Sequence, residues 1–247
     1  MQSLYGAIAN TKEKEIMVNV DTVYQRVLTI ANKEQRGYIT PLEFNLLANQ
    51  AQLDIFEGYF VEVAQAATAG SPGNETEYSD IMKTLNEKIS VFKKVDTALV
   101  KQGSFFLYPN DMYKLGTLYY AQTGLTTDGV EIQEINYDEL LDYNNSPLTK
   151  PDKSHPLYIR REEGIRIIST PAITSGVIAS YIKKPTKVEW GYVVVPPKNE
   201  ALYNNVASTD FELHTSEETT LVLKILELTG IVINKPGLIT AAQQEQA

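Results

Sequence analysis

Residues 37–65, GYITPLEFNLLANQAQLDIFEGYFVEVAQ, hold a capped helix that is apolar around more of its circumference than a small lone domain can cover. Thr40 stands at the N-cap. Pro41 takes the first helical position, where its missing N–H costs nothing, and Glu43 completes an S/T-x-x-E capping box. Beyond this start, Phe44, Leu47, Ala51 and Ile55 form one stripe at helical spacing, and Leu46, Leu53, Phe56 and Phe60 form a second that only partly overlaps it. Such a helix needs neighbours on two sides, from a larger helical core or from adjacent copies of the chain.

The run into this helix, Asn32–Glu43 (NKEQRGYITPLE), matches part of a calcium-loop pattern, with Gly37 at position six, Ile39 at eight and Glu43 at twelve. The ligand positions do not fit. Asn32 stands where Asp is expected, Glu34 replaces a shorter acid, and Arg36 brings a positive charge to a cation site. The favoured reading is that Gly37 ends a helix spanning about Asn19 to Gln35 and that Thr40 caps the next.

The chain has no cysteine, which excludes disulfides, thiolate metal sites and cysteine nucleophiles. Its N-terminus lacks a basic-then-apolar leader, and no apolar run approaches the roughly 20 residues that span a bilayer. The expectation is a soluble protein suited to a reducing cytoplasm, with no membrane partner. A net charge of −9 argues against the chain as a whole wrapping nucleic acid, which needs clustered cations. The charge is uneven, however. Lys150–Lys187 carries Lys150, Lys153, Arg160, Arg161, Arg166, Lys183, Lys184 and Lys187 against Asp152, Glu162 and Glu163, a net +5, so the rest of the chain carries −14. This section reads as a solvated hairpin face or as a docking surface for an acidic partner.

The first hundred residues read as helical: about Asn19 to Gln35 with Val20, Val23, Tyr24, Val27 and Ile30 inward, Pro41 to about Ala67, and about Tyr78 to Phe92. An exposed loop, Thr68–Thr76, separates the last two. Strand candidates follow at Phe105–Tyr108, Val130–Ile135, Leu157–Ile168, Gly176–Lys183 and Glu189–Val195. A helical turn is expected at Tyr137–Tyr143, and a hairpin turn at Arg161-Glu162-Glu163-Gly164. Thr215 and Glu218 suggest a second capping box ahead of a last helix that Gly230 terminates, and the tail from Ala241 is expected to be mobile. The expected fold is α+β: an N-terminal antiparallel helical bundle (1–100), a small antiparallel β-sheet insertion (101–209), and a C-terminal helix returning to the bundle (210–247).

No chemistry converges. His155 and His214 are the only histidines, and neither has metal-ligand spacing around it. Glu162-Glu163 flanks a turn and Glu217-Glu218 opens a helix, where the dipole favours negative charge. There is no nucleophile elbow, phosphate-cradling glycine loop or dinucleotide fingerprint. The expectation is therefore a non-enzyme with no catalytic, cofactor or metal residues. Fifteen tyrosines suit either strands or protein interfaces.

Two segments, Ile30–Tyr59 and Asp210–Ile231, with the intervening section around Tyr158–Tyr192, resemble virion structural proteins of tailed bacteriophages, especially neck ring or head-to-tail adaptor proteins of crAss-like phages. The resemblance implies a homo-oligomeric ring, commonly of twelve copies, that touches the portal and neighbouring neck or tail proteins. Such a ring is part of the virion, is made in the host bacterial cytoplasm, and lets DNA pass without sequence-specific binding. An acidic balance suits a conduit for a polyanion, because each basic contact to phosphate adds affinity. Other virion roles, such as a tail-hub or cargo-associated component, and a calcium-responsive binding module are the alternatives.

Overall fold

Asn19 starts the first helix: its Oδ1 accepts from the Thr22 N–H at 3.1 Å, while Asp210 Oδ1 accepts from the Val20 N–H at 3.0 Å. In the computed structural model, which describes residues 17–33, 39–69, 75–121, 129–196 and 200–230, this helix is α1 (Val20–Lys33). Val20, Val23, Tyr24, Val27 and Ala31 bury one face of it at i, i+3, i+4, i+7 and i+11. Helix α2 (Pro41–Ala69) begins as its residues require. Glu43 Oε2 accepts from the Thr40 N–H at 2.9 Å, and Thr40 Oγ1 accepts from the Glu43 N–H at 3.3 Å, so the capping box is complete. Helix α3 (Glu75–Ser90) follows. Gly37, the expected terminator of α1, and the tail from Ala241 lie outside the described residues, as does most of the loop between α2 and α3.

Residues 92–184 form one compact unit, and residues 1–91 with 185–247 form the other. The first of these is a sheet of eight strands: β1 (Lys93–Ala98), β2 (Lys101–Gln102), β3 (Phe105–Phe106), β4 (Met112–Tyr120), β5 (Val130–Glu134), β6 (Leu157–Arg161), β7 (Gly164–Ile168) and β8 (Val177–Lys183). Their order is β1-β8-β4-β5-β6-β7-β3-β2, antiparallel throughout except for the parallel pair β5–β6. The sheet curls until its ends meet in a single run of chain. Only Leu99 and Val100 separate β1 from β2, the Leu99 N–H still bonds Val177 O, and Val100 O accepts from the Leu107 N–H. Phe106, Leu118, Ile132, Ile165 and Val177 are in the main core of this sheet. Ile135, Leu157 and Ile159 make a smaller cluster with Leu140 and Tyr143 of the short helix α4 (Leu140–Asn145), which follows a 3-10 turn at Tyr137–Glu139. The expected turn at 161–164 is present: β6 and β7 pair through Arg161↔Gly164, and Gly164 has φ +144° with Phe106 O only 2.5 Å from where a Cβ would lie.

The expected helical bundle with a small antiparallel insertion is therefore overturned. The dominant element is a large curled mixed sheet, and the described α-helices number five. Two strands escape a period-2 reading. In β4, Leu115 and Leu118 are buried three residues apart because the pairing with β8 shifts register between Met112 and Lys114 and again between Leu115 and Leu118. Strand β1 is the charged run KKVDTA, with its own shift between Lys94 and Thr97.

In the other unit, α2 lies against α3 and α5 (Glu218–Leu228), and α1 lies against α5. Strands β9 (Tyr192–Val195) and β10 (Glu200–Tyr203) form a separate two-stranded hairpin. The second capping box does not form. His214 caps a 3-10 turn at Thr215–Glu217 by accepting from the Ser216 N–H at its Nδ1, and α5 starts only at Glu218. No helix among the described residues is long and apolar enough to cross a membrane.

Candidate functional site

Helix α2 carries Asn45, Asn49 and Gln52 on one face at i, i+4 and i+7, the spacing expected of core residues. All three face main chain. Asn45 Oδ1 accepts from the Trp190 N–H at 2.8 Å and its Nδ2 reaches Trp190 O at 3.4 Å. Asn49 repeats this on Val188, accepting at 2.9 Å and donating at 2.8 Å. Gln52 donates to Thr186 O at 2.9 Å and accepts from the Glu212 N–H at 3.0 Å. A helix turn advances about 5.4 Å and two strand residues about 6.6 Å, so successive amides meet alternate residues of extended chain. The helix thus imitates a neighbouring strand, and the face that a bundle would set against another helix takes main chain instead.

This ladder fixes Trp190, which is 2% exposed and donates its indole N–H to Asp21 Oδ1 at 2.9 Å. Its ring lies 4.4 Å from that of Tyr24, 5.9 Å from Tyr192 and 5.7 Å from Tyr203. Gly191 comes next, where a Cβ would sit 2.6 Å from the Ala207 carbonyl, and the Gly191 N–H bonds Ser208 Oγ. The root of the β9–β10 hairpin is thereby clamped.

Beyond the root, the hairpin is apolar and uncovered. Pairing of Val193 with Leu202 and of Val195 with Glu200 sets Val193, Leu202 and Val195 on one face, exposed by 52%, 54% and 40%. Val194, 49% exposed, lies on the other face, beside a 590 Å³ groove shared with Pro41 and Tyr192. Two strands alone are marginal in water, and an exposed apolar ribbon is a template for association.

Two clusters in residues 92–184 have the residue types of a reaction centre. Tyr181 donates to Asp111 Oδ1 at 2.9 Å, and Lys94 Nζ lies 2.6 Å from Asp111 Oδ2. Tyr158 donates to Glu134 Oε2 at 2.9 Å, and Arg160 grips both oxygens of that carboxylate at 2.7 and 2.8 Å. Burial raises both phenols above their ordinary range, and the hydrogen bond from Lys94 holds the Asp111 carboxyl below its own. A phenol harder to ionise is a poor base or nucleophile near neutral pH. Both clusters act as struts that bring a core tyrosine's hydroxyl to a neutralised carboxylate.

Two of the cations of the basic section have partners within residues 92–184. Arg160 is held by Glu134, Arg161 lies over the Tyr137 ring at 4.9 Å, and Lys187 belongs to the other unit. Exposed His155 lies 3.6 Å from Asp152, whose carboxylate accepts from the His155 and Ser154 N–H groups. Glu43 is committed to Thr40, and no group of three potential metal ligands occurs among the described residues. Asn45, Asn49, Gln52 and Trp190 belong to no recognised site motif in the sequence. For the three amides the signal is their i, i+4, i+7 spacing on one face of α2, and for Trp190 there is none beyond its residue type. Compared with known proteins, the chain matches no family model and no curated protein.

Proposed function

We propose that this chain is a structural virion protein of a tailed phage, assembling into a ring in the neck between portal and tail and enclosing the DNA channel. The observation that carries the reading is the β9–β10 hairpin: an apolar ribbon exposed on both faces, on a root clamped by Trp190 and the amide ladder. A rigid root with an uncovered arm suits repeated contacts between copies, because little ordering entropy is lost when the arm docks. Head-to-tail contacts of this kind close into rings when the rotation allows.

Charge supports the same reading. Residues 92–184 carry eleven cations and eleven anions, so the other unit's residues hold the entire net −9. A channel lined by that acidic unit would let DNA slide without phosphate contacts. Its other partners are then the portal and the adjoining neck or tail proteins.

The test is native mass spectrometry with negative-stain imaging of the purified protein, beside a Val193→Glu/Leu202→Glu variant. A closed ring, commonly of twelve copies, is expected for the native sequence, and monomer with an unchanged melt for the variant. A native chain that stays monomeric up to millimolar concentration would overturn the ring.

A further inference from the structure

The outer face of α2 is not polar. Leu42, Leu46, Gln50, Leu53, Glu57, Val61 and Ala64 are all exposed, and their steps of 4, 4, 3, 4, 4 and 3 keep them on one face of the helix. Leu42, Leu46, Leu53 and Val61 are exposed by 66%, 67%, 37% and 54%. A helix that packs only on its own core turns charged and polar residues outward, whereas here Gln50 and Glu57 alone interrupt an apolar row. Alternating steps of four and three are those of a seam between two helices. At 1.5 Å per residue the row runs for about 33 Å. Gln50 Nε2 donates to Asp54 Oδ1 at 2.6 Å, which steadies the amide and leaves its second N–H for another acceptor.

We infer that this row is a two-fold contact, in which α2 of one copy lies antiparallel on α2 of a second copy. The order of residues along the row selects that occupant and that direction. With the two helices crossing near Leu53, Leu42 faces Ala64 of the second copy, Leu46 faces Val61 and Gln50 faces Glu57. Apolar groups then meet apolar groups, and the second N–H of the amide meets a carboxylate. Parallel helices would set Glu57 against Glu57, and an antiparallel pair shifted by one turn would set it against Leu46, so both leave a carboxylate without a partner. The helix holds Glu43, Asp54, Glu57 and Glu62 and no Lys or Arg, so two copies repel at long range and salt should tighten the pair. The same patch serves both copies, unlike the head-to-tail contacts of a ring, and neither contact depends on the other. One helix row is a small interface, below about 1,200 Å². The dimer therefore dissociates at the low micromolar concentrations of native mass spectrometry and fills near about 100 µM.

The test uses the full chain carrying Val193→Glu/Leu202→Glu, so that the hairpin takes no part. Sedimentation equilibrium from micromolar to millimolar concentration should show monomer and dimer, with more dimer at high salt than at low. Leu53→Glu, at an exposed position, should weaken the dimer about tenfold or more with an unchanged melt. The absence of cysteine lets disulfides read the direction. Under mild oxidation, Leu53→Cys alone should give linked dimers, and Leu46→Cys mixed with Val61→Cys should give the mixed dimer in preference to either linked to itself. Preferential linkage of Leu46→Cys to itself would overturn the antiparallel pairing. A chain that stays monomeric at millimolar concentration would overturn the second copy as occupant and leave the row to a different protein.

Discussion

Asn49 holds Val188 by both of its main-chain polar groups, accepting from the N–H at 2.9 Å and donating to the carbonyl at 2.8 Å. Val188 is 2% exposed, so no water replaces either bond if the amide is removed. Asn49→Ala should lower stability by about 2 kcal/mol or more, since each buried group left unpaired costs about 1–3 kcal/mol. Asn49→Asp keeps the acceptor but turns a carboxylate oxygen towards the Val188 and Asn45 carbonyls, and should cost at least as much. Urea denaturation measures both. A loss below about 0.5 kcal/mol, ordinary for a surface site, would show that the ladder adds nothing.

Tyr59 has the opposite problem. Its hydroxyl is buried without a partner among the described residues, and burial, reinforced by Glu217 and Glu62, pushes its ionisation well above the usual phenol range. The phenol is harder to ionise folded than unfolded, so its contribution is complete below about pH 10 and is lost as pH rises through the folded-state value. Tyr59→Phe keeps the ring beneath Lys88 Nζ, 5.6 Å from its centroid. This variant should be as stable as the native chain or up to about 1 kcal/mol more stable at pH 7, and should lose less stability between pH 9 and 11 on the order-of-magnitude phenol scale. A clear loss at pH 7 would mean that the hydroxyl has a partner after all.

Gly191→Ala should disturb the hairpin root, because its Cβ would meet backbone atoms of Ala207 at 2.6 Å. Trp190, the single tryptophan, reports on this directly. A red-shifted emission is expected, with the far-ultraviolet circular dichroism nearly unchanged. Native emission in the variant would show that the two segments separate freely.

Arg160 and Arg166 look alike in the sequence and should behave differently. Arg160→Glu places a second acid beside Glu134 and breaks the grip that neutralises the acceptor of Tyr158. The pair is partly exposed, so the loss should be about 1 kcal/mol, modest but measurable. Arg166→Glu, at an exposed position, should stay within about 0.5 kcal/mol. Equal melts for the two variants would contradict the strut.

Local signals were legible where side chain and backbone chemistry coincide. Thr40 and Glu43 form their box, Gly164 turns the β6–β7 hairpin, and Gly230 ends α5. The larger architecture was not legible, for reasons that particular residues show. Two register shifts in β4 move Leu115 and Leu118 out of alternation, so the strand bordering both β8 and β5 carries no strand pattern. Asn45 and Asn49 look like solvated positions, because nothing in a sequence says that extended chain will lie against them. Arg160 reads as a free cation until Glu134 arrives from 26 residues away.

The closing of the sheet also brings its own entrance and exit together, since the Lys183 N–H bonds Phe92 O at 2.8 Å. Residues 92–184 therefore leave the polypeptide and return to it within one hydrogen bond, interrupting the remainder at a single point. A module attached in this way can be lengthened, exchanged or excised while the flanking residues keep their spacing. Residues 92–184 are an interchangeable insertion, and continuity of the remaining chain requires only that Val91 and Pro185 be neighbours.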